Sequence, residues 1–574
     1  TSETDPVGNK TTFESDAVGQ LVRGEDADGQ VSTFDRDLAG QIISADYDGD
    51  QLTYAYDLAG NVVAITSTQV IMRYGYNDAD ELTGVTAILH GTGISKAVSY
   101  SYYADGSRES MTDPDGGVTT YTYDDRARIR TITNPAGEVV TYTWDGASRL
   151  TRKDLGNGTY VVFGYDDAGQ LLSMDHHQAG GDLLESFTYT YDDLGNRISE
   201  TRGDGSQVTY TYDPRSRLIG ASYSDGAAIE YAYDLAGHRT RMVVDGETTN
   251  YTVDAAGRLQ SDGSATFHWD RRGNLTGVED DAGTTTYAFD VRHRLTGVTS
   301  QAQGTTAFEF YPDGRRLSRT DPDGTVTLYV YDGPNLLMEL DAMGQTLARY
   351  TSGDMDDWLS MERDGQRYSY HADGLGSVIG LSDDTGSLVE GYRYSPFGRT
   401  EVLDGAGQPQ ADSALGNPFR FTGRQFLGLG ELYDYRARVY DPALGRFLSE
   451  DPIGANWEPN RYAYALNNPT TWIDPTGEDT WVGSGSGMSA GFLFGCKIWS
   501  GTMTNMATGE QCRISEKCCS LGAQSHFSLE SGLKTFTGPR KGSQLAMSKW
   551  GVELGVDLDL GAVNVSASLD INTD

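Results

Sequence analysis

The 574-residue chain carries 83 Asp+Glu against 44 Lys+Arg, a net charge of −39 at pH 7, which excludes long-range attraction of its main body to a nucleic-acid backbone. No apolar run reaches the ~18 residues of a transmembrane helix. With 71 Gly and no long segment of apolar residues at helical spacing, the composition points away from helices and toward strands and tight turns.

The chain opens at Thr1 in the middle of a repeat, which reads as the processed or excised portion of something longer. A weak form of the repeat, Phe34-Asp35…Gly40, precedes the first clear one, Tyr54-Ala55-Tyr56-Asp57…Gly60. The phrase returns as Tyr121-Thr122-Tyr123-Asp124, Tyr142-Thr143-Trp144-Asp145, Tyr189-Thr190-Tyr191-Asp192…Gly195, Tyr210-Thr211-Tyr212-Asp213 and Tyr231-Ala232-Tyr233-Asp234…Gly237. Asp124, Asp145 and Asp166, and again Asp192, Asp213 and Asp234, stand 21 residues apart, the mark of a stacked repeat architecture.

Tyr-x-Tyr puts both rings on one face of a strand, because strand side chains alternate with period two. Asp-x-x-Gly is turn chemistry: Asp bonds its own downstream backbone and Gly accepts positive φ. A return strand follows, as in Gly257-Arg258-Leu259, so one repeat is about one hairpin that must pair with its neighbours. The repeated Asp therefore reads as turn-capping rather than calcium binding, since no turn has the ligand spacing of an EF-hand loop. The pair His176-His177 reads as a loop insertion between repeats, with no ligand-spaced partner.

From about Tyr368 the refrain gives way to denser phrases. They include Tyr370-His371-Ala372-Asp373-Gly374-Leu375-Gly376-Ser377, Tyr392-Arg393-Tyr394-Ser395-Pro396-Phe397-Gly398 and Asn417-Pro418-Phe419-Arg420-Phe421-Thr422-Gly423-Arg424. Arg436-Ala437-Arg438-Val439-Tyr440-Asp441-Pro442, Gly445-Arg446-Phe447-Leu448-Ser449-Glu450-Asp451-Pro452-Ile453-Gly454, Asn460-Arg461-Tyr462-Ala463-Tyr464 and Asp474-Pro475-Thr476-Gly477 complete the series. In these motifs the chain resembles the Rhs/YD-repeat proteins, and residues 368–477 resemble the Rhs-associated core domain that closes such repeats.

The resemblance implies an all-β fold in which YD-repeat hairpins spiral into a hollow shell (1–367), a core domain plugs one end (368–477), and a small β-rich variable domain (478–574) is enclosed as cargo. It embraces bacterial polymorphic toxins, C components of insecticidal toxin complexes, and teneurins. It further implies a self-cleaving aspartyl protease in the core. By motif, Asp451 and Asp474, each opening an Asp-Pro-x-Gly phrase, are the catalytic carboxylates, and Arg438 is the basic residue beside them. Aspartyl proteolysis needs two carboxylates close enough to share a proton, one activating water and the other polarising the scissile carbonyl. The same phrase is also good turn sequence. Self-cleaving relatives carry Leu after the second Asp-Pro-x-Gly; here Gly477 is followed by Glu478 and Asp479, whose added negative charge would slow cleavage, abolish it or shift it to lower pH. The expected cut follows Glu478. His371, inside a core motif, reads as a satisfied structural histidine rather than a base.

Residues 479–574 are near neutral, with seven Lys+Arg and nine Asp+Glu, and hold all four cysteines, Cys496, Cys512, Cys518 and Cys519. Their spacing suits two disulfides in an oxidising compartment better than zinc, with three pairings open. Val552 to Leu560 and Val563 to Ile571 alternate apolar and polar residues about a turn near Gly561, an amphipathic β-hairpin. A small β-domain explains it; membrane insertion is the sharper alternative. No motif for a metal or cofactor is found.

Two functions follow. One is a secreted toxin or delivery shell whose partners are its own C-terminal domain as cargo and an upstream or toxin-complex-like component. The other is a structural or adhesive extracellular protein that binds other cell surfaces.

Overall fold

The computed structural model describes residues 1–452 and 460–478 with their side chains and, beyond Glu478, strand backbone alone. The chain divides into two compact units, Gly75–Gly487 and a smaller one made of Thr1–Tyr74 and Met488–Asp574. Among the described residues the regular structure is strand, broken by two three-residue 3-10 turns at Phe421–Gly423 and Ala465–Asn467.

One repeat shows how the refrain folds. Strand Leu183–Tyr191 pairs antiparallel with Arg197–Arg202, with a bulge at Tyr191. Between them Asp192 Oδ1 accepts the backbone N–H of Leu194 and of Asn196, each at 2.9 Å, while Gly195 takes a φ of 82°. Asp57, Asp145 and Asp254 accept the same two bonds, so the repeated carboxylate is spent on closing the turn. Where the next repeat position is Arg, the side chain also reaches the neighbouring hairpin. Arg149 Nε donates to Asp145 Oδ2 at 2.8 Å and its Nη1 to Asp166 O at 2.7 Å.

The two aromatics of each phrase do different things. Tyr189 is buried at 1% exposure, whereas the Tyr191 hydroxyl donates to Leu171 O in the preceding hairpin at 2.8 Å. Tyr56, Tyr165 and Tyr233 repeat that bond to Ile42, Leu150 and Leu218. Trp144 and Trp269 make it with their indole N–H, to Ile129 O at 2.7 Å and Leu259 O at 2.6 Å. A hydrogen-bond donor that suits this place thus ties each hairpin to the one before.

Within the larger unit, Thr252–Val253 to Pro409–Gln410 form a seventeen-stranded sheet in sequence order. Strand Gln366–Ala372 lies inside it, so the change of rhythm near Tyr368 occurs within a continuing sheet. This sheet runs alongside earlier hairpins in the same direction: Arg108 meets Asp332, Asn134 meets Ser360 and Asn157 meets Ser382, at sequence separations of 224, 226 and 225. A strip whose later strands run beside its earlier ones, here at separations between 185 and 226 residues, makes a spiral turn. His176 belongs to this seam. It lies on strand Leu171–His177, not in a loop, and its Nδ1 faces His371 Nδ1 at 3.2 Å. The loop expectation failed because the partner that buries His176 is 195 residues away.

The core segment docks on hairpin turns. Asn460 and Asn467 both donate to Gly237 O, at 2.9 and 3.0 Å, Arg446 donates to Gly257 O at 2.7 Å, and Tyr462 to Gly273 O at 3.1 Å. Beyond Glu478 the backbone places Val552–Leu560 antiparallel to Val563–Ile571, the hairpin expected from alternation.

Candidate active site in the core region

A four-stranded sheet carries the site. Its strands Tyr433–Tyr435 and Arg438–Asp441 form a tight hairpin, with Tyr435 opposite Arg438, and Arg446–Phe447 pairs on the other side. The packing beneath is aromatic: Phe421, Tyr433, Tyr435, Tyr440, Phe447 and Tyr464 form one buried cluster. Burial pushes the Tyr435 and Tyr440 hydroxyls well above the ordinary phenol range, so these groups stay neutral and serve as walls.

Arg438 is buried at 4% exposure, with its guanidinium 3.7 Å from the centroid of the Phe447 ring. Its Nη2 lies 3.0 Å from Asp451 Oδ2 and 3.1 Å from Asp474 Oδ2, so one nitrogen gathers both carboxylates. Its Nη1 donates to Arg461 O at 3.1 Å and its Nε to Gly477 O. Asp474 is 1% exposed, and its Oδ1 accepts the backbone N–H of Gly477 at 2.8 Å and of Glu478 at 3.2 Å. The three residues carried over by motif thus converge on the backbone that precedes the expected cut.

The rest of that segment is held by the hairpin tip. The Ala437 N–H donates to Thr476 O at 3.1 Å, and Arg436 Nη1 donates to Pro475 O. Gly477 has a φ of 70°, and a Cβ there would lie 2.5 Å from Tyr435 O and 3.0 Å from Arg438 N. Only glycine lets the segment lie this close to the strand. Strand Trp472–Ile473 just before it pairs with Trp481–Val482 just after, so residues 474–480 link two paired strands.

Asp479 and Cys519 lie outside the described residues, as do the side chains of Cys496, Cys512 and Cys518. His371 is 2% exposed, with Nε2 2.9 Å from Ser382 Oγ, and takes no part in the site. Sequence reasoning passed over Arg436 and Asp356. Arg436 Nη1 and Nη2 bond Asp356 Oδ2 and Oδ1 at 3.0 and 2.8 Å. Nothing in the sequence singles out Arg436; its place at the tip of a two-residue hairpin, where glycine is usual, is seen only in the fold.

With this geometry in view, the comparisons are consistent. A family model described as the teneurin YD-shell matches residues 10–208 and 197–469. The tRNA3(Ser)-specific nuclease WapA of Bacillus spizizenii is 32% identical over 253 residues, which is 43% of this chain and 10% of the relative. Toxin protein Tse5 of Pseudomonas aeruginosa is 41% identical over 108 residues, 19% of this chain and 8% of the relative. The chain therefore spans about a tenth of the length of these curated relatives. The crystal structure of TcdB2-TccC3 superposes with a TM-score of 0.70 at 19% identity, covering 83% of this chain and 28% of that one, a likeness of fold.

Proposed function

Because this chain belongs to the teneurin YD-shell family, we propose that it is the shell and plug of a toxin-like delivery protein, whose core region cuts its own backbone to free residues 479–574 as cargo. The observation that carries this reading is Arg438, which joins Asp451, Asp474 and the carbonyl of Gly477 in one buried cluster.

In this mechanism a water adds its oxygen to the carbonyl carbon of Glu478. One carboxylate of the pair accepts the water proton, and the other, protonated, hands a proton to the nitrogen of Asp479 as the C–N bond breaks. The products are a carboxylic acid on Glu478 and a new amino terminus on Asp479. Arg438 holds the two carboxylates together and fixes the preceding carbonyl, which orients the bond to be cut. The work is done outside the producing cell, with an upstream segment or a toxin-complex-like partner; the relatives named as toxins support that reading.

The test is denaturing electrophoresis, intact mass and amino-terminal sequencing of the full chain, beside Asp451→Asn and Asp474→Asn. Two fragments with a terminus at Asp479 in the wild type, and one species in each variant, are expected. A wild type that stays whole at every age and pH ends the protease reading and leaves the shell.

A further inference from the structure

The hairpin tip Arg436–Ala437 is built at a local cost. Arg436 has a φ of 65° at the first central position of a two-residue hairpin, where side chains other than glycine are strained. Asp356, which answers it, also has a positive φ, of 62°. Two strained residues that meet in a bidentate ion pair need a reason beyond the turn itself.

Stability of the ion pair does not supply that reason. Asp356 Oδ1 already accepts a bond from Arg424 Nη1 at 2.7 Å, and Arg424 is anchored by Nε and Nη2 to Asp434 O at 2.9 and 2.7 Å. Without Arg436, Asp356 keeps its ion pair with Arg424 through Oδ1 and loses the bond to Oδ2, and burial beside Arg424 makes the Arg436 cation less comfortable, lowering its pKa. Arg436 also donates to Pro334 O through Nε and Nη2, both at a long 3.4 Å, whereas its bond from Nη1 to Pro475 O is the one that touches the segment before the expected cut.

The result is a run of three grips on consecutive carbonyls. Arg436 takes Pro475 O through its side chain, Ala437 takes Thr476 O through its backbone N–H, and Arg438 takes Gly477 O through its side chain. Resting on the self-cleavage reading above, we propose that Arg436 is a substrate clamp, positioned by Asp356, which sets the register of residues 475–477 and so selects the peptide bond after Glu478 for cleavage. The ligand of the clamp is the backbone of this chain, read without regard to side chains.

The glycine preference of this position provides the test. Arg436→Gly removes the guanidinium and relieves the turn, and Arg424 keeps its ion pair with Asp356 Oδ1, so the variant is expected to fold. The full chain is made by cell-free synthesis, and the cut fraction is followed with time. Arg436→Gly is expected to slow cutting by about tenfold to a hundredfold, with a melting temperature near wild type and extra termini at residues flanking Asp479. Arg436→Lys, which retains a donor for Pro475 O but not the fork on Asp356, is expected between the two, and Asp356→Asn likewise. Wild-type rate and a single terminus in Arg436→Gly, with Asp451→Asn uncut, overturn the clamp and leave the protease. Should Arg436→Gly fail to fold, the Arg436→Lys terminus and rate decide in the same way. An uncut wild type, or cutting in Asp451→Asn, removes the protease reading and the clamp with it.

Discussion

His176 and His371, 195 residues apart in sequence, meet Nδ1 to Nδ1 at 3.2 Å where two passes of the sheet lie side by side. Both rings are buried, at 1% and 2% exposure, and their edges form a T-shaped contact. Only one of the facing nitrogens can carry the bonding proton, so the contact does not survive protonation of both rings.

Acid is therefore expected to weaken this seam. Burial depresses both histidines, and nearby Lys153 adds to the effect; His371 falls to about 4 and His176 lies well below its ordinary value. A folded pKa below the unfolded ~6.5 leaves the seam's full contribution in place above that value and removes it as pH falls through about 4. For His371 the loss is on the order of 3 kcal/mol. Urea midpoints between pH 7.5 and 4 should drop more steeply for the wild type than for His371→Gln; parallel curves would contradict the seam's role.

The second aromatic of the refrain is expected to tolerate exchange only for another donor. Trp144→Phe loses the bond to Ile129 O and should cost about 1 kcal/mol, whereas Trp144→Tyr should recover most of it. Denaturant midpoints for the two variants read this directly. Equal losses would mean that ring packing alone sets the position.

Several turns carry another residue in place of the usual glycine and should accept glycine with profit. Ala127, Ser148 and Ser216 have φ values of 57°, 65° and 60° at the place held by Gly195 in its repeat. Ala127→Gly is expected to raise stability by about 1 kcal/mol, and Ser148→Gly and Ser216→Gly by less, since those hydroxyls accept bonds from Arg128 and Asn196; thermal unfolding checks each. The reverse change Gly195→Ala should lower stability.

Gly477→Ala should leave the fold intact and stop self-cleavage. The added methyl meets backbone atoms Tyr435 O and Arg438 N, which cannot turn aside as a side chain can. Circular dichroism like that of the wild type, with no cut product by intact mass, is the expected pair of results. Full cutting would show that the segment cleaves in some other arrangement.

What could be read from the sequence, and what could not, follows the range of the interaction. The Tyr-x-Tyr-Asp hairpins were legible because strand, bulge and turn are set within about ten residues, and Asp192 finds its partners two and four residues on. Arg438, Asp451 and Asp474 were legible as motifs, though nothing in their spacing says that one nitrogen touches both carboxylates. His176 was misread because the side chain that explains it belongs to another turn of the spiral. Arg436 was passed over for a subtler reason: its guanidinium gave no hint that the backbone beneath it had left the region most residues prefer.

The pairing of Trp472–Ile473 with Trp481–Val482 bears on what a cut would accomplish. A break after Glu478 falls in the link between two strands that remain hydrogen-bonded to each other. Such a break is a nick, which changes covalent connectivity before it changes composition. Cutting and departure then become separate events with separate triggers: the nicked protein would travel as one particle under native conditions, and only a later unzipping of that short ladder would turn a processed chain into a discharged one.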